Sequence, residues 1–168
     1  MHRMVMQYAG GYYLVAHGRH LLLNAEHAAR AKEFSSWRHR VESAWPHLRI
    51  ESLPTASSEV AIGEELIVSA KVFLDALTPD DVVVQILEGR LDARGEIQEP
   101  AVTTMHPQDG ATSGSVLFRT ALHSSRSGLR GYAIRLLPNH PDAVTPFMPG
   151  LILWASEAFA NTPELALR

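Results

Sequence analysis

The chain has 168 residues, with 15 lysines and arginines against 18 aspartates and glutamates, and it has no cysteine. The formal net charge of −3 excludes a strong electrostatic attraction to nucleic acid or to an acidic membrane surface. The lack of cysteine excludes disulfides and thiolate chemistry and fits a reducing compartment. Because the sequence has neither a signal-peptide pattern nor a run of about 20 apolar residues, we expect a cytoplasmic protein without a membrane partner.

Residues 1–46 are predicted to form a helical segment of two helices. In the first helix, residues 2–15, the side chains of Val5, Tyr8 and Tyr12 recur at the spacing of one helical face. This opening is unusually apolar for a surface, so we expect it to pack against the rest of the chain or a larger partner, or to drive self-association.

The second helix is predicted to begin at Asn24, which is a favoured N-cap residue. It ends before Pro46, because a proline pushes the preceding residue out of the helical conformation. Four large apolar residues share one stripe of this helix, namely Phe34, Trp37, Val41 and Trp45.

Residues 47–157 change to a period of two, which is typical of strands with one buried face. Gly95 is expected to take a left-handed conformation in a hairpin loop at 91–97. Seven short strands without intervening helices predict a mainly β domain, an immunoglobulin-like β-sandwich, followed by a tail at 158–168. The predicted strands are 48–52, 65–74, 82–87, 101–105, 115–123, 132–137 and 150–155.

The candidates for metal binding and catalysis all have simpler explanations. His17 and His20 are three residues apart, with His27 further on, but no carboxylate or cysteine completes a ligand set. Three further histidines each neighbour a proline, where a solvated or locally hydrogen-bonded ring is expected: His47, His106 and His140.

Adjacent carboxylates at Asp80 and Asp81, and at Glu64 and Glu65, are expected to cap turns rather than to form the paired acid and base of a glycosidase. The serines of SSRS, residues 124–127, lack the G-x-S-x-G pattern of a nucleophile elbow. The glycines at 128 and 131, expected to bracket a turn, lack a dinucleotide-binding fingerprint. We therefore predict no catalytic, cofactor-binding or metal-binding residue in this chain.

The three tryptophans allow two interpretations. Trp37 and Trp45 lie on a helical stripe and Trp154 lies in an apolar strand, so core packing is the favoured one. The alternative is an exposed aromatic platform on which sugar rings stack.

Five segments, taken in order, resemble the bacterial alpha-glucan (glycogen) phosphorylases of the long-extension type. RMVMQYAGGYYL is similar to that family's RMV-x-EY-x(3)-YYLP segment, with Gln7 and Val15 replacing its glutamate and proline, and Gln85 stands where a glutamate is common. The other four segments are WRHRVESAWPHLRI, ALTPDDVVVQILEGRLDARGEI, SGLRGYAIRLLPNHP and GLILWA.

The resemblance implies the C-terminal region of an enzyme that transfers glucosyl units from an α-glucan to orthophosphate. The family holds pyridoxal phosphate on a lysine between two Rossmann-like domains, whereas Lys32 and Lys71 here lie in no cofactor motif. We expect an inactive accessory domain without a cofactor that braces the catalytic domains or forms an oligomer contact, whether it is a fragment or is encoded separately. The alternative is a module that tethers the enzyme to glucan.

Overall fold

The computed structural model describes residues 2–55, 61, 63–108, 114–123 and 128–156. The chain divides into two compact units, Met1–Arg40 and Val41–Arg168. The first is helical, and the second begins with the end of a helix and continues into the sheet. The predicted mainly β fold with a helical N-terminal segment is thus confirmed.

The helical segment contains a sharp backbone break. Helix α1 (His2–Tyr8) continues through a π-helical turn (Ala9–Tyr13) into helix α2 (Leu14–Ala44). Within α2, Ala25 is extended, and the next three residues, 26–28, have positive φ angles of 51°, 58° and 61°. Left-handed backbone in consecutive non-glycine residues ends a right-handed helix, so there are two helical stretches.

The prediction that Asn24 starts the second stretch is wrong. Its side-chain Nδ2 donates to the carbonyl oxygen of His20 at 2.9 Å. Asparagine thus satisfies a free carbonyl at the end of the first stretch, instead of a free N–H at the start of the second.

Among its described residues, the second unit has seven antiparallel strands: β1 (Arg49–Ser52), β2 (Glu65–Phe73), β3 (Val82–Leu91), β4 (Ile97–Pro107), β5 (Ser115–His123), β6 (Arg130–Pro138) and β7 (Leu153–Trp154). Their order in the sheet is β1-β2-β5-β4-β3-β6-β7. Strand β4 pairs with β3 along most of its length and with β5 only at His106 and Pro107. Because β1 also lies beside β7, the sheet curls into a nearly closed barrel.

The core fills the inside of this curled sheet. Alternate residues of β2 point inward, with Val68, Ala70 and Val72 fully buried, as their period of two predicts. Phe118 of β5, which is paired with Ala70, and Leu136 of β6 are buried as well. Gly95 has the predicted positive φ, 78°, in the β3–β4 hairpin. The finer assignment as immunoglobulin-like stays a prediction.

Candidate functional site

The structure places the N-terminal histidines on exposed helix positions. His17 and His20 lie on α2 and His27 lies in the backbone break. Within the residues that the structure describes, no three histidine, aspartate or glutamate side chains come close enough to hold a metal ion. His140 is hydrogen-bonded locally, since its Nδ1 accepts from the backbone N–H of Asp142 at 3.0 Å. His106, predicted to lie in a loop, pairs with Arg119 within the sheet.

One carboxylate of each adjacent pair, Asp81 and Glu64, caps a turn as predicted, whereas Glu65 Oε1 lies 3.4 Å from His123 Nδ1. Asp81 is buried, and its Oδ2 accepts hydrogen bonds from the backbone N–H of Thr78 at 2.9 Å and from the Thr78 hydroxyl at 2.8 Å. Glu64 accepts a hydrogen bond from the backbone N–H of Ala61 at 3.2 Å. These hydrogen bonds stabilise the turns that lead into β3 and β2.

Two segments noted in the sequence are joined at the turn before β3. The backbone N–H of Asn139 donates to the carbonyl of Asp81 at 2.8 Å, and its side chain donates to the carbonyl of Asp80 at 3.1 Å. The segment TPDD therefore contacts the segment PNHP, so these residues have a structural role.

The glycine and serine candidates differ in what the structure shows. Gly128 has a positive φ of 115° before β6, as a turn requires. Gly131 instead lies within β6, opposite Gly89 of β3, so the prediction that it ends the turn is wrong. Residues 124–127 lie outside the described part of the chain.

The prediction that all three tryptophans lie in the core holds for two of them and fails for the third. Trp37 and Trp45 are buried, but Trp154 is 49% exposed. Trp154 belongs to the two-residue edge strand β7, where it pairs with Arg135 of β6. Its neighbours in sequence are apolar, so local hydrophobicity did not distinguish a core strand from a half-exposed edge.

Arg135 is the centre of a polar and aromatic cluster on the outer face of the sheet, the Arg135 cluster, formed by Gln85, Arg135, Phe147 and Trp154. The Nε and Nη2 atoms of Arg135 donate to Gln85 Oε1 at 3.0 and 2.7 Å. The guanidinium carbon lies 5.0 Å from the centre of the Phe147 ring and 5.7 Å from that of Trp154. Both distances are within the range of a cation–π interaction.

The register of the sheet explains this assembly. Gln85 is paired with Thr104 on β4 and with Arg135 on β6, and Arg135 is paired with Trp154 on β7. Residues paired across neighbouring strands point to the same face, so Thr104, Gln85, Arg135 and Trp154 form one row. Phe147 approaches Arg135 from the loop between β6 and β7. Sequence reasoning missed this row because its members are up to 69 positions apart and only strand pairing aligns them.

Two further side chains have shifted acidities. The backbone N–H groups of Glu96 and Arg94 donate to Asp92 Oδ1 at 2.9 and 2.8 Å and lower the pKa of this carboxyl. These hydrogen bonds stabilise the β3–β4 hairpin. Burial raises the pKa of the Tyr132 phenol above its ordinary 10.0.

Comparison with known proteins identifies the family. The profile of the glycogen phosphorylase C-terminal domain matches residues 45–156. The chain belongs to this family. The matched residues form the short helical turn and the curled sheet that follows it. The match confirms the resemblance found in the sequence.

The relatives also cover the helical segment. The glycogen phosphorylase of Mycobacterium tuberculosis is 30% identical over 155 residues, which are 91% of this chain and 18% of that protein. The glycogen phosphorylase of Mycobacterium bovis has the same identity and coverage. The maltodextrin phosphorylase of Thermococcus litoralis is 32% identical over 157 residues, again 18% of its length. The chain thus spans about a fifth of the curated relatives it matches.

Proposed function

We propose that this chain is the non-catalytic C-terminal accessory region of an α-glucan phosphorylase, whose catalytic domains carry out phosphorolysis of α-1,4-glucan to glucose 1-phosphate in the cytoplasm. The family match and the share of the relatives that the chain spans support the assignment. No helix among the described residues is long and apolar enough to cross a bilayer.

The proposed role is to brace the catalytic domains, and the observation that carries it is the exposed apolar surface of the N-terminal helix. Large apolar side chains on all sides of this helix are 45–72% exposed: Met4, Val5, Met6, Tyr8, Tyr12, Tyr13, Leu14, Val15, Leu21 and Leu22. A continuous exposed surface of this kind marks a protein interface. Since this segment resembles the end of the catalytic region, its proposed partner is the phosphorylase body.

Pyridoxal phosphate is proposed to bind in those catalytic domains, because neither lysine of this chain fits it. Lys71 Nζ lies over the ring of Phe73 at 5.1 Å on a strand, and Lys32 is on an open face of α2. A cofactor lysine needs an enclosed site with groups that hold the phosphate and the ring nitrogen. We therefore derive no step of phosphorolysis through residues of this chain.

The test is to mix the chain with the catalytic region of a phosphorylase that lacks its own C-terminal part. We expect a stable complex by size-exclusion chromatography and a higher melting temperature for the catalytic region. Tyr13→Glu in the exposed helix should weaken the complex, whereas Gln7→Glu, which adds the same charge at a polar position, should not. Failure to form any complex, or phosphorolysis by this chain alone with added pyridoxal phosphate, would contradict the proposal.

A second candidate role is tethering of the enzyme to glucan. It is favoured by the half-exposed rings of Phe147 and Trp154, which lie together on one face of the sheet.

A further inference from the structure

We propose that the Arg135 cluster is a surface site for a neutral α-glucan chain. The site consists of the Phe147 and Trp154 rings with the polar groups of Gln85 and Arg135. Only the choice of an α-glucan rests on the proposed function. The capacity of the cluster to bind a polyhydroxylated ligand follows from its own geometry.

The aromatic part of the cluster has the form of a stacking platform. Phe147 is 50% exposed and Trp154 is 49% exposed. Because both rings approach the same guanidinium, their centres are at most about 11 Å apart. Neighbouring sugar units of one glucan chain can contact both rings with their apolar C–H faces.

The polar part of the cluster has donors to spare. Arginine carries five N–H donors, and two atoms of this guanidinium, Nε and Nη2, donate to Gln85 Oε1. That contact fixes the orientation of the Gln85 amide and leaves its Nε2 group without a hydrogen bond to the described residues. The remaining N–H groups of both side chains suit the hydroxyl and ring oxygens of a sugar.

The charge of the cluster favours a neutral ligand that offers many acceptors. Arg135 is paired with the neutral Gln85, and among the described residues no carboxylate lies within ion-pair distance of it. A guanidinium that already interacts with two rings can donate to sugar oxygens without losing an ion pair. A glutamate at position 85 would occupy the guanidinium with a salt bridge and would lack the amide donors.

The loop that carries Phe147 is held in place before any ligand binds. Phe147 N–H donates to the Thr145 hydroxyl at 3.2 Å, and Leu151 N–H donates to the carbonyl of Met148 at 3.0 Å. The buried Leu151 side chain anchors the loop to the sheet. On the other side, Ala155 N–H donates to the carbonyl of Ile134 at 2.9 Å, which secures Trp154. A site formed in advance costs less ordering entropy on binding.

The experiment follows the indole N–H signals of the whole chain by NMR during titration with maltoheptaose. The chain has three tryptophans, and Trp154 is the exposed one among them. We expect the Trp154 signal to shift with a dissociation constant on the order of 1 mM, while the Trp37 and Trp45 signals stay in place. Assignment uses the Trp154→Phe variant.

Variants separate the site from the rest of the surface. Phe147→Ala and Gln85→Glu should each weaken binding about tenfold, whereas Tyr13→Ala, which removes a more exposed ring from the helical segment, should have no effect. A melting temperature for each variant checks that it folds.

Three results would overturn the inference. They are an unchanged Trp154 signal at about ten times the expected dissociation constant, an equal response to the β-linked cellohexaose, and burial of Trp154 by the catalytic region of a phosphorylase in the absence of glucan. The last result would make the cluster a protein contact. The bracing role has a separate test. It would be contradicted if the unmodified chain formed no complex with the catalytic region, the complex that Tyr13→Glu is designed to weaken.

Discussion

At the scale of single residues, two glycines facing each other across β3 and β6 allow the backbones and side chains nearby to approach closely. A Cβ added to Gly89 would lie 2.5 Å from the carbonyl oxygen of Gln98, which is backbone and cannot move aside. A Cβ added to Gly131 would meet Leu91 Cδ2 at 2.6 Å, the flexible end of a side chain. The two positions look alike in sequence and differ in what surrounds them.

We predict that Gly89→Ala lowers the free energy of unfolding by about 3 kcal/mol, because the β3–β4 pairing must shift to admit the methyl group. Gly131→Ala should cost about 1 kcal/mol, since Leu91 can change rotamer. Urea denaturation of both variants measures the difference. Equal costs would mean that backbone proximity to Gln98 is not what limits Gly89.

Tyr132 links the stability of the protein to alkaline pH. Burial raises its pKa in the folded state above the ordinary 10.0, so the unfolded chain loses this proton first as the pH rises. The stabilising contribution is complete below pH 10.0 and is lost as the pH rises through the folded-state pKa. We predict that the native chain loses more stability between pH 8 and 11 than Tyr132→Phe does, with midpoints of urea denaturation as the measurement. Because all other groups titrate alike in both proteins, parallel curves would show that Tyr132 makes no such contribution.

At the scale of elements, short capped turns set where the strands begin. The turn Pro79–Asp81 precedes β3, and the buried Asp81 carboxylate holds both the N–H and the hydroxyl of Thr78. Strand β3 lies between β4 and β6, so an error in its start would displace both pairings.

We predict that Asp81→Ala destabilises the protein by about 2 kcal/mol. The N–H and the hydroxyl of Thr78 both lose their acceptor, and the bond to the N–H caps the turn. The neighbouring Asp80→Ala is the control, because its side chain is exposed and its backbone carbonyl, which Asn139 uses, is retained. It should change stability by less than about 0.5 kcal/mol. Thermal denaturation of the two variants compares them, and a larger loss for Asp80→Ala would contradict the capping role.

At the scale of the whole molecule, the helical segment exposes a group of large apolar side chains, a feature that is typical of protein interaction surfaces. The segment belongs to the unit Met1–Arg40, and the family profile begins after it, at residue 45. The β domain and the helical segment therefore differ: the first has a buried core, whereas the second exposes large apolar side chains, for which we propose a protein partner.

We predict that the isolated chain self-associates through this segment at micromolar to millimolar concentration, since association buries the exposed rings and aliphatic side chains. Sedimentation velocity over a range of concentrations should show a rising average mass. Tyr13→Glu should reduce the association and Gln7→Glu should leave it unchanged. A single monomeric species at all concentrations would show that this surface does not drive self-association.

Much of the β domain could be predicted from the sequence because burial alternates along a strand. The inward positions of β2, with Val68, Ala70 and Val72, follow from period two alone, and the hairpin at Gly95 follows from the need for a positive φ. Strand ends were less predictable: β4 extends from Ile97 to Pro107, beyond the predicted 101–105, because pairing with neighbours can recruit polar residues that local pattern assigns to loops.

The sequence by itself determined the family, the mainly β class, the buried face of β2 and the capping role of Asp81, since these depend on residue type and short spacing. Tertiary structure alone decided that Trp154 faces outward and that Gln85 meets Arg135. The last two differ by 50 positions and meet because β3 pairs with β6 in one register. Long-range pairing and the position of a strand at a sheet edge leave no local period in the chain, and the candidate glucan surface depends on both.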